Sequence, residues 1–473
     1  PFRRVMSQKC ILIYVGQSDM SYALASKRDY SLKREPQIGF AYLSAVLNSH
    51  DVETEIIDFT IKPFTVEELL KYIIDVAPVF VGFYAAAALK DRVLEYLHPL
   101  RNALPNIKIL IGGPDIYDCD NYLNAGAHAF CMGEGELTIV DLLAYSRGQM
   151  NLKNIKGIAY KENGKIQHTS PRSLIENLDE LPVPDWDKFN LENYFDYHVF
   201  NMSTPYTSIM ASRGCPFRCT FCISHKVWQH KYRSRSPAHV MKEIDYLVFE
   251  LGVKFITFQD DIWSWNNEEW ANSICGELAS REYKLKWRCI LHPLSFSKNR
   301  EKMLSMMKSA GCVSITTGLQ SASKSVLRNI QRSPKEPEAL SELIRIANKL
   351  DILNNTAFIF GLPGETEETM EESIRYSLKI KPTFSAFYTL SVLPGSNIWQ
   401  LKKEGKFQAL SPELLKSKCR EGARRFYSNP LVVWNIFKSI IKTNPKWLLL
   451  MLQHLKYLLE VSGLYKTRAR STG

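Results

Sequence analysis

No apolar stretch in the 473-residue sequence reaches the roughly 20 residues that a helix needs to span a bilayer. The longest candidates are Val76–Leu89, which ends in small residues, and Trp447–Leu459, which three polar residues interrupt. The sequence also lacks a secretory signal, a low-complexity tract and a short internal repeat. We therefore expect a cytoplasmic protein that does not cross a membrane.

Outside its C-terminal part, the sequence has no surplus of charge of either sign. Residues 401–473 hold 15 lysines and arginines against 4 acidic residues, so the whole net charge of +11 lies there. A nucleic-acid-binding enzyme would carry its basic residues around the active region. We therefore do not expect nucleic acid to be a partner.

The ten cysteines do not form a pattern typical of a disulfide framework, because seven of them stand alone in a long chain without a secretory signal. The other three are Cys215, Cys219 and Cys222, which lie within eight residues directly after a predicted strand. Three thiolates in one loop can bind three irons of a 4Fe–4S cubane and leave the fourth iron open to a chelating substrate. The alternative is a structural zinc site that His225 completes.

Alternating strand and helix patterns predict an α/β fold with two such regions. In residues 1–150 they predict a Rossmann-like, doubly wound parallel sheet, with helix Val66–Val76 and strand Lys108–Gly112 among its elements. Residues 151–204 contain a hairpin with an Asn-Gly turn and a proline-rich linker. Residues 205–400 contain six further strand–helix units, the first with strand Thr207–Ser212, which predict a partial (β/α)6 barrel with its chemistry at the carboxyl ends of the strands. Residues 401–473 are expected to form basic, amphipathic helices.

The spacing Cys-x3-Cys-x2-Cys, with an aromatic residue before the last cysteine, resembles the signature of the radical S-adenosylmethionine (SAM) superfamily. Later segments resemble the same family in order, namely Phe258–Asp261, Gly318–Ser321, Phe358–Thr366 and Leu393–Ser396. The resemblance implies that the three cysteines hold the cluster and that SAM is cleaved reductively to methionine and a 5′-deoxyadenosyl radical. It also implies SAM contacts by Phe221, Gln259, Asp260, Asp261, Gln320, Gly361 and Leu362. Many relatives carry Glu-Ser where this chain has Gln320-Ser321.

The N-terminal α/β region resembles the cobalamin-binding domain found in part of that superfamily. The resemblance rests on Pro36–Leu43, Ile111–Pro114 and Gly133–Glu136, together with the small residues of 82–88. It implies cobalamin contacts by Gly39, Gly82, Gly112, Gly113 and Gly133. The Asp-x-His-x-x-Gly motif that supplies a lower cobalt ligand in other cobalamin proteins is absent, so no cobalt ligand is assigned.

Together, the two resemblances imply a radical SAM enzyme that uses cobalamin to methylate an unactivated carbon. The expected partners are a small-molecule or lipid-like substrate and an electron donor such as flavodoxin or ferredoxin. One alternative is a radical SAM oxidoreductase or cyclase without methyl transfer, because the domain pair also resembles anaerobic magnesium-protoporphyrin ester cyclases. Another is a sensor that holds cobalamin or a cluster without turnover.

The C-terminal region contains two predicted helices, one with apolar positions between Val432 and Ile441 and one over Lys446–Val461. We expect them to form a cap on the barrel. Apolar faces with interspersed lysine and arginine also suit a membrane surface, so peripheral membrane contact is the alternative.

Overall fold

The computed structural model describes residues 8–16, 33–196 and 204–443. These residues divide into two compact units. The first contains residues 8–16 and 33–196 together with 204–208 and 242–253. The second contains residues 209–241 and 254–443. Within the described part of the chain, no helix combines the length and the apolar character needed to cross a membrane.

A seven-stranded sheet forms the centre of the first unit. Its strands are β1 (Gln8–Tyr14), β3 (Val52–Asp58), β4 (Phe80–Tyr84), β5 (Lys108–Gly112), β6 (Ala129–Cys131), β7 (Ile158–Glu162) and β8 (Lys165–His168), and a separate ribbon pairs β2 (Lys33–Arg34) with β9 (Phe195–Asp196). The order is β3-β1-β4-β5-β6-β7-β8, in which the first five strands are parallel and the last two form an antiparallel hairpin. The parallel strands therefore have the flavodoxin-like order of a doubly wound sheet, whose switch point lies between β1 and β4.

Helices cover both faces of this sheet. They are α1 (Ile38–Asn48), α2 (Val66–Val76), α3 (Lys90–Ala103), α4 (Cys119–Asn124) and α5 (Glu136–Ser146). Successive strand residues point to opposite faces. Ile11 and Val81 belong to the core that α2, α3 and α4 cover, whereas Leu12 and Gly82 face α1 and α5. The doubly wound prediction is confirmed.

A second sheet contains six parallel strands that follow one another in chain order. The strands are β10 (Tyr206–Ile209), β13 (Phe255–Phe258), β14 (Lys286–Leu291), β15 (Cys312–Gln320), β16 (Leu353–Phe360) and β17 (Phe384–Thr389). The helices of this part are α6 (Ser224–Trp228), α7 (Pro237–Phe249), α8 (Glu268–Ser280), α9 (Arg300–Ser309), α10 (Lys324–Asn329), α11 (Glu336–Lys349) and α12 (Glu367–Ile380). Three more helices follow β17, namely α13 (Asn397–Lys403), α14 (Pro412–Tyr427) and α15 (Pro430–Thr443). The six predicted strand–helix units are confirmed.

The structure differs from the sequence-based prediction in two places. The predicted strand Thr207–Ser212 is interrupted, because β11 (Ser212–Arg213) leaves β10 and pairs with β12 (Arg233–Ser234). Strand β6 and helix α5 were not predicted, since β6 has only 3 residues and shows no alternation. The predicted helix Lys446–Val461 lies outside the described residues.

Candidate cofactor sites

The loop with Cys215, Cys219 and Cys222 follows β11, and its path depends on a glycine at its start. Gly214 has a φ of +92°, and a Cβ there would lie 2.0 Å from the carbonyl oxygen of Lys231. Only glycine can therefore occupy this position without moving the backbone. The three thiols that follow are brought to one half-buried loop in the second unit.

The electrostatics of the three thiols fit a site for a multivalent cation. Burial is the main cause that raises the pKa of Cys215 to about 12, and the neighbouring Asp261, Cys219 and Cys222 act in the same direction. Burial likewise raises the pKa values of Cys219 and Cys222. Without a cation these thiols stay protonated, whereas iron binding would deprotonate all three. The donor set therefore fits three ligands of a 4Fe–4S cluster.

The spacing of the sulfur atoms argues against the zinc alternative. A tetrahedral zinc ion with Zn–S bonds of about 2.3 Å needs sulfur atoms about 3.8 Å apart. In the described part of the chain, the three cysteines and His225 do not supply a set of ligand atoms that all lie within 4.8 Å of one another. His225 instead stacks on His230 at a centroid distance of 5.2 Å.

Two of the predicted SAM contacts lie together. Phe221 of the cysteine loop packs on the apolar cluster that contains Leu362, and the other buried members of this cluster are Val326, Leu327 and Ile330. The neighbouring Gly361 has a φ of +97°, and a Cβ there would lie 2.8 Å from Leu415. The loop after β16 is thus packed against the aromatic residue of the cysteine loop.

Glu365, which the sequence analysis did not single out, holds the same loop. Its Oε2 accepts hydrogen bonds from the N–H groups of Gly361 at 2.5 Å and Leu362 at 3.1 Å. Its Oε1 is buried without a hydrogen-bond partner among the described residues. Burial therefore raises the pKa of Glu365 to about 7. The sequence signal for this role was the position of Glu365, four residues after Gly361 in the same loop.

The three polar residues after β13 have different environments. Asp260 is buried, and its oxygens accept hydrogen bonds from Ala211 N and Ser212 Oγ, both at 2.8 Å. It therefore braces the interruption between β10 and β11, and burial raises its pKa to about 7. Gln259 and Asp261 are exposed, and Ser224 Oγ donates to Asp261 Oδ1 at 3.2 Å, beside the cysteine loop.

Gln320 lies at a β-bulge at the end of β15. The register with β16 shifts between Gly318 and Gln320, and Gln320 has a φ of +74°. Its side chain folds back over Gly318, where a Cβ would lie 2.2 Å from Gln320 Nε2. The half-buried amide is therefore held close to the strand end.

In the first unit, all five glycines predicted to contact cobalamin line one cavity. This cavity, the glycine-lined cavity below, has a volume of about 170 Å³. These five come from α1, β4, β5 and the segments that follow β5 and β6, namely Gly39, Gly82, Gly112, Gly113 and Gly133. A sixth glycine, Gly135, lines the cavity too, together with mostly apolar residues of the strands β1, β4 and β5 and of the helices α1 and α5. The cavity thus lies at the switch point of the sheet, where doubly wound folds bind their ligands.

The glycines of this cavity have two different roles. Gly113 has a φ of +140°, and a Cβ there would lie 2.1 Å from Ala85 O, so the backbone requires a glycine. A Cβ at Gly39 or at Gly133 would meet no atom within 4 Å. These two glycines leave free volume at the cavity, so a ligand group can approach their backbone closely.

Comparison with known proteins matches both regions of the chain to families. The family model of the radical SAM superfamily matches residues 209–377, and the model of the B12-binding domain matches residues 31–143. An uncharacterized methyltransferase of Pyrococcus horikoshii, PH0819, is 31% identical over 77% of this chain and 78% of its own length. The chain belongs to the radical SAM superfamily. It is an enzyme of the group with a B12-binding domain, and its cofactors are a 4Fe–4S cluster, SAM and cobalamin.

Two further relatives illustrate the range of this group. The anaerobic magnesium-protoporphyrin IX monomethyl ester cyclase of Cereibacter sphaeroides is 30% identical, over 57% of this chain and 43% of the cyclase. The radical SAM methyltransferase TsrM of Kitasatospora setae, solved with cobalamin and a 4Fe–4S cluster, is 17% identical with a TM-score of 0.69. The match covers 83% of this chain and 77% of TsrM, and it shows that the fold is shared.

Proposed function

We propose that the protein methylates an unactivated carbon of a small-molecule substrate, with cobalamin as the methyl carrier. The observation that carries the proposal is the glycine-lined cavity, which lies at the sheet's switch point in a chain that also has the cysteine loop. When bound, the cofactors supply one-electron reduction, a radical from SAM and a transferable methyl group. The matched methyltransferase PH0819 supports this function.

The residues of this chain hold and orient these groups. We propose that Cys215, Cys219 and Cys222 bind three irons, so that the fourth stays open to the amino and carboxylate groups of SAM. Phe221 and Leu362 would form an apolar wall for the adenine, because they already pack in one cluster. Such a wall excludes water from the radical chemistry.

The remaining predicted SAM contacts differ in the support they have. Two of them, Gln259 and Asp261, follow the end of β13, and Gln320 is the last residue of β15. Their amide and carboxylate groups can form hydrogen bonds with an amino group or a ribose. Gly361 would allow close approach of the adenine to the backbone. Asp260 is better explained as a brace, since both of its oxygens accept hydrogen bonds from the chain itself.

The glycine-lined cavity would hold a part of cobalamin only. Its volume of about 170 Å³ is below the roughly 300–1,000 Å³ of pockets that enclose a whole ligand. Gly39 and Gly133 would face this part of the ligand, and Gly82, Gly112 and Gly113 would shape the cavity behind it.

The products of SAM turnover test the proposal without a known substrate. The reconstituted enzyme is incubated with a low-potential reductant and SAM, and the products are quantified by liquid chromatography. Methyl transfer through cobalamin predicts S-adenosylhomocysteine in addition to 5′-deoxyadenosine, and only the former should require cobalamin. Formation of 5′-deoxyadenosine alone, with cobalamin bound, would contradict methyl transfer.

Formation of 5′-deoxyadenosine without S-adenosylhomocysteine would favour an oxidative cyclase or another radical oxidoreductase. The specific observation behind this alternative is the 30% identity to the magnesium-protoporphyrin IX monomethyl ester cyclase of Cereibacter sphaeroides. This match covers 57% of the chain, against 77% for the methyltransferase PH0819. Methyl transfer is therefore the leading proposal.

We further propose that flavodoxin or ferredoxin supplies the electron and that the enzyme acts in the cytoplasm. All ten cysteines are unpaired thiols, and an oxygen-sensitive cluster also favours a reducing compartment. We likewise propose that the functional domains are residues 1–150, which bind cobalamin, and residues 205–400, which bind the cluster and SAM, with residues 151–204 as the linker and 401–473 as the C-terminal region.

Helix α15 supports peripheral contact with an anionic membrane surface. Val432 and Ile436 pack in an apolar cluster with Phe426 and Phe387. The opposite side of the helix exposes five apolar residues, namely Leu431, Val433, Trp434, Phe437 and Ile441. Trp434 is 62% exposed, and the surplus positive charge of residues 401–473 complements anionic lipid.

Co-sedimentation with vesicles tests this contact. Phosphatidylcholine vesicles that contain phosphatidylglycerol should retain the protein more strongly than pure phosphatidylcholine vesicles, and Trp434→Glu should abolish the difference. Ile74→Glu is the matched control, because Ile74 is an exposed residue of α2 in the first unit. Equal retention of Trp434→Glu and the unchanged protein would exclude the proposal.

A further inference from the structure

Cys219 contacts a buried arginine outside the cysteine loop. Arg332 lies between α10 and α11, and its Nη1 donates to the Sγ of Cys219 at 4.0 Å. Its side chain is only 5% exposed, so water does not screen this contact. A buried guanidinium group therefore faces one of the three proposed iron ligands.

The other donors of Arg332 fix its orientation. Its Nε and Nη2 donate to Oε2 of the fully buried Glu336, at 2.8 and 2.5 Å. Its Nη2 also donates to the carbonyl oxygen of Gly318 at 2.7 Å, at the β-bulge of β15. Charge-assisted bonds of this kind are stronger than neutral ones and hold the planar group in one position. Nη1 is thereby directed at Cys219.

His292 connects this arginine–glutamate pair to the cysteine loop. Its Nε2 lies 3.3 Å from Nη2 of Arg332 and 3.6 Å from Oε1 of Glu336, and its Nδ1 accepts a hydrogen bond from Leu294 N. Burial lowers the pKa of His292 and keeps the ring neutral. Phe217 of the cysteine loop stacks on this ring at a centroid distance of 4.1 Å. The cysteine loop therefore contacts this buried network at both Phe217 and Cys219.

We propose that Arg332 and Glu336 are positioning residues that set the reduction potential of the cluster. A hydrogen bond to a ligand sulfur and nearby positive charge stabilise the reduced cluster, which carries one more negative charge. Glu336 offsets part of the positive charge of Arg332. The inference requires a cluster on the three cysteines but does not depend on the proposed methyl transfer.

The two residues should therefore shift the potential in opposite directions. Arg332→Gln removes the cation and its sulfur contact, which makes reduction harder. Glu336→Gln keeps the cation and removes the compensating charge, which makes reduction easier. We expect each to change the equilibrium constant of one-electron reduction about tenfold, which is about 59 mV.

A redox titration of the reconstituted enzyme without SAM measures these shifts, with the reduced cluster followed by electron paramagnetic resonance. Arg300→Gln is the matched control, because Arg300 is an equally buried arginine of the second unit that pairs with Glu342 and contacts no cysteine. Its potential should equal that of the unchanged protein. Iron content per chain confirms that each variant holds its cluster.

Opposite shifts for Arg332→Gln and Glu336→Gln would support the proposal, since a merely structural role predicts no such sign reversal. Unchanged potentials, or shifts of the same sign, would overturn it. A weaker affinity for SAM without a change of potential would also overturn it, because Arg332 would then be a SAM contact. If Arg332→Gln loses iron, Glu336→Gln and Arg332→Lys decide the outcome. Only a higher reduction potential for Glu336→Gln, together with a potential for Arg332→Lys that is lowered by less than about 59 mV, supports the proposal.

Discussion

The glycine-lined cavity allows cobalamin binding to be blocked without disturbing the fold. Gly39 lies near the start of α1, has no positive φ, and would place a Cβ in open space. The change Gly39→Leu therefore adds a side chain at the lining of the cavity, and its Cβ meets no atom within 4 Å. Because the cavity has apolar walls, the leucine would be well accommodated.

The size of the effect follows from volumes. A leucine side chain has four carbon atoms, each about as large as a water molecule of about 30 Å³, so it adds roughly 120 Å³ beside the cavity. A ligand forced against such an obstacle loses about 1–3 kcal/mol, which is a loss of roughly 5- to 150-fold in affinity. Replacing a helical glycine stabilises the folded chain by about 0.5–1 kcal/mol.

Equilibrium dialysis with hydroxocobalamin measures the affinity, and thermal unfolding measures the stability. Gly276→Leu is the matched control, because Gly276 also lies in a helix, α8, with no atom within 4 Å of a Cβ. We expect weaker cobalamin binding for Gly39→Leu only, with an unfolding temperature equal to or above that of the unchanged protein. Full affinity in a well-folded Gly39→Leu variant would refute the assignment of this cavity to cobalamin.

Three further predictions concern single residues. The pKa of Glu365 in the folded protein, about 7, lies above its ordinary value of 4.5, so stability falls as pH rises through this window. Glu365→Gln should remove this fall, at most roughly 3 kcal/mol, when unfolding is compared at pH 5 and pH 7.5; an unchanged pH profile would contradict the burial argument. Gly113→Ala should destabilise the protein by about 2 kcal/mol in thermal unfolding, because its Cβ would lie 2.1 Å from Ala85 O. His225→Ala should keep its iron while Cys219→Ala loses it by elemental analysis, and loss of metal in both would restore the zinc alternative.

Most of the fold could be predicted because strand and helix patterns repeat strongly. Strand Lys108–Gly112 and helix Val66–Val76 were predicted with their observed bounds, since a buried run and an amphipathic period with a capping threonine mark them. The β-bulge at Gly318 could not be predicted, because the pairing register depends on the neighbouring strand. The same holds for the interruption before Ser212, which Asp260 stabilises from a distant part of the chain.

The candidate sites were predictable only where a local motif marks them. Cys215, Cys219 and Cys222 are adjacent in sequence, so their spacing alone indicated a common loop. Arg332 was not found, because its contact with Cys219 joins residues that are 113 positions apart. No local pattern distinguishes a buried arginine of this kind from an exposed one.

Anaerobic reconstitution with iron, sulfide and hydroxocobalamin, followed by desalting, tests the central claim most directly. Iron analysis and ultraviolet–visible absorption then give the cofactor content per chain. The account predicts about four irons and one corrinoid, with the iron lost in Cys219→Ala and the corrinoid content lowered in Gly39→Leu. Stoichiometric zinc without iron, or a full iron content with no retained corrinoid, would contradict it.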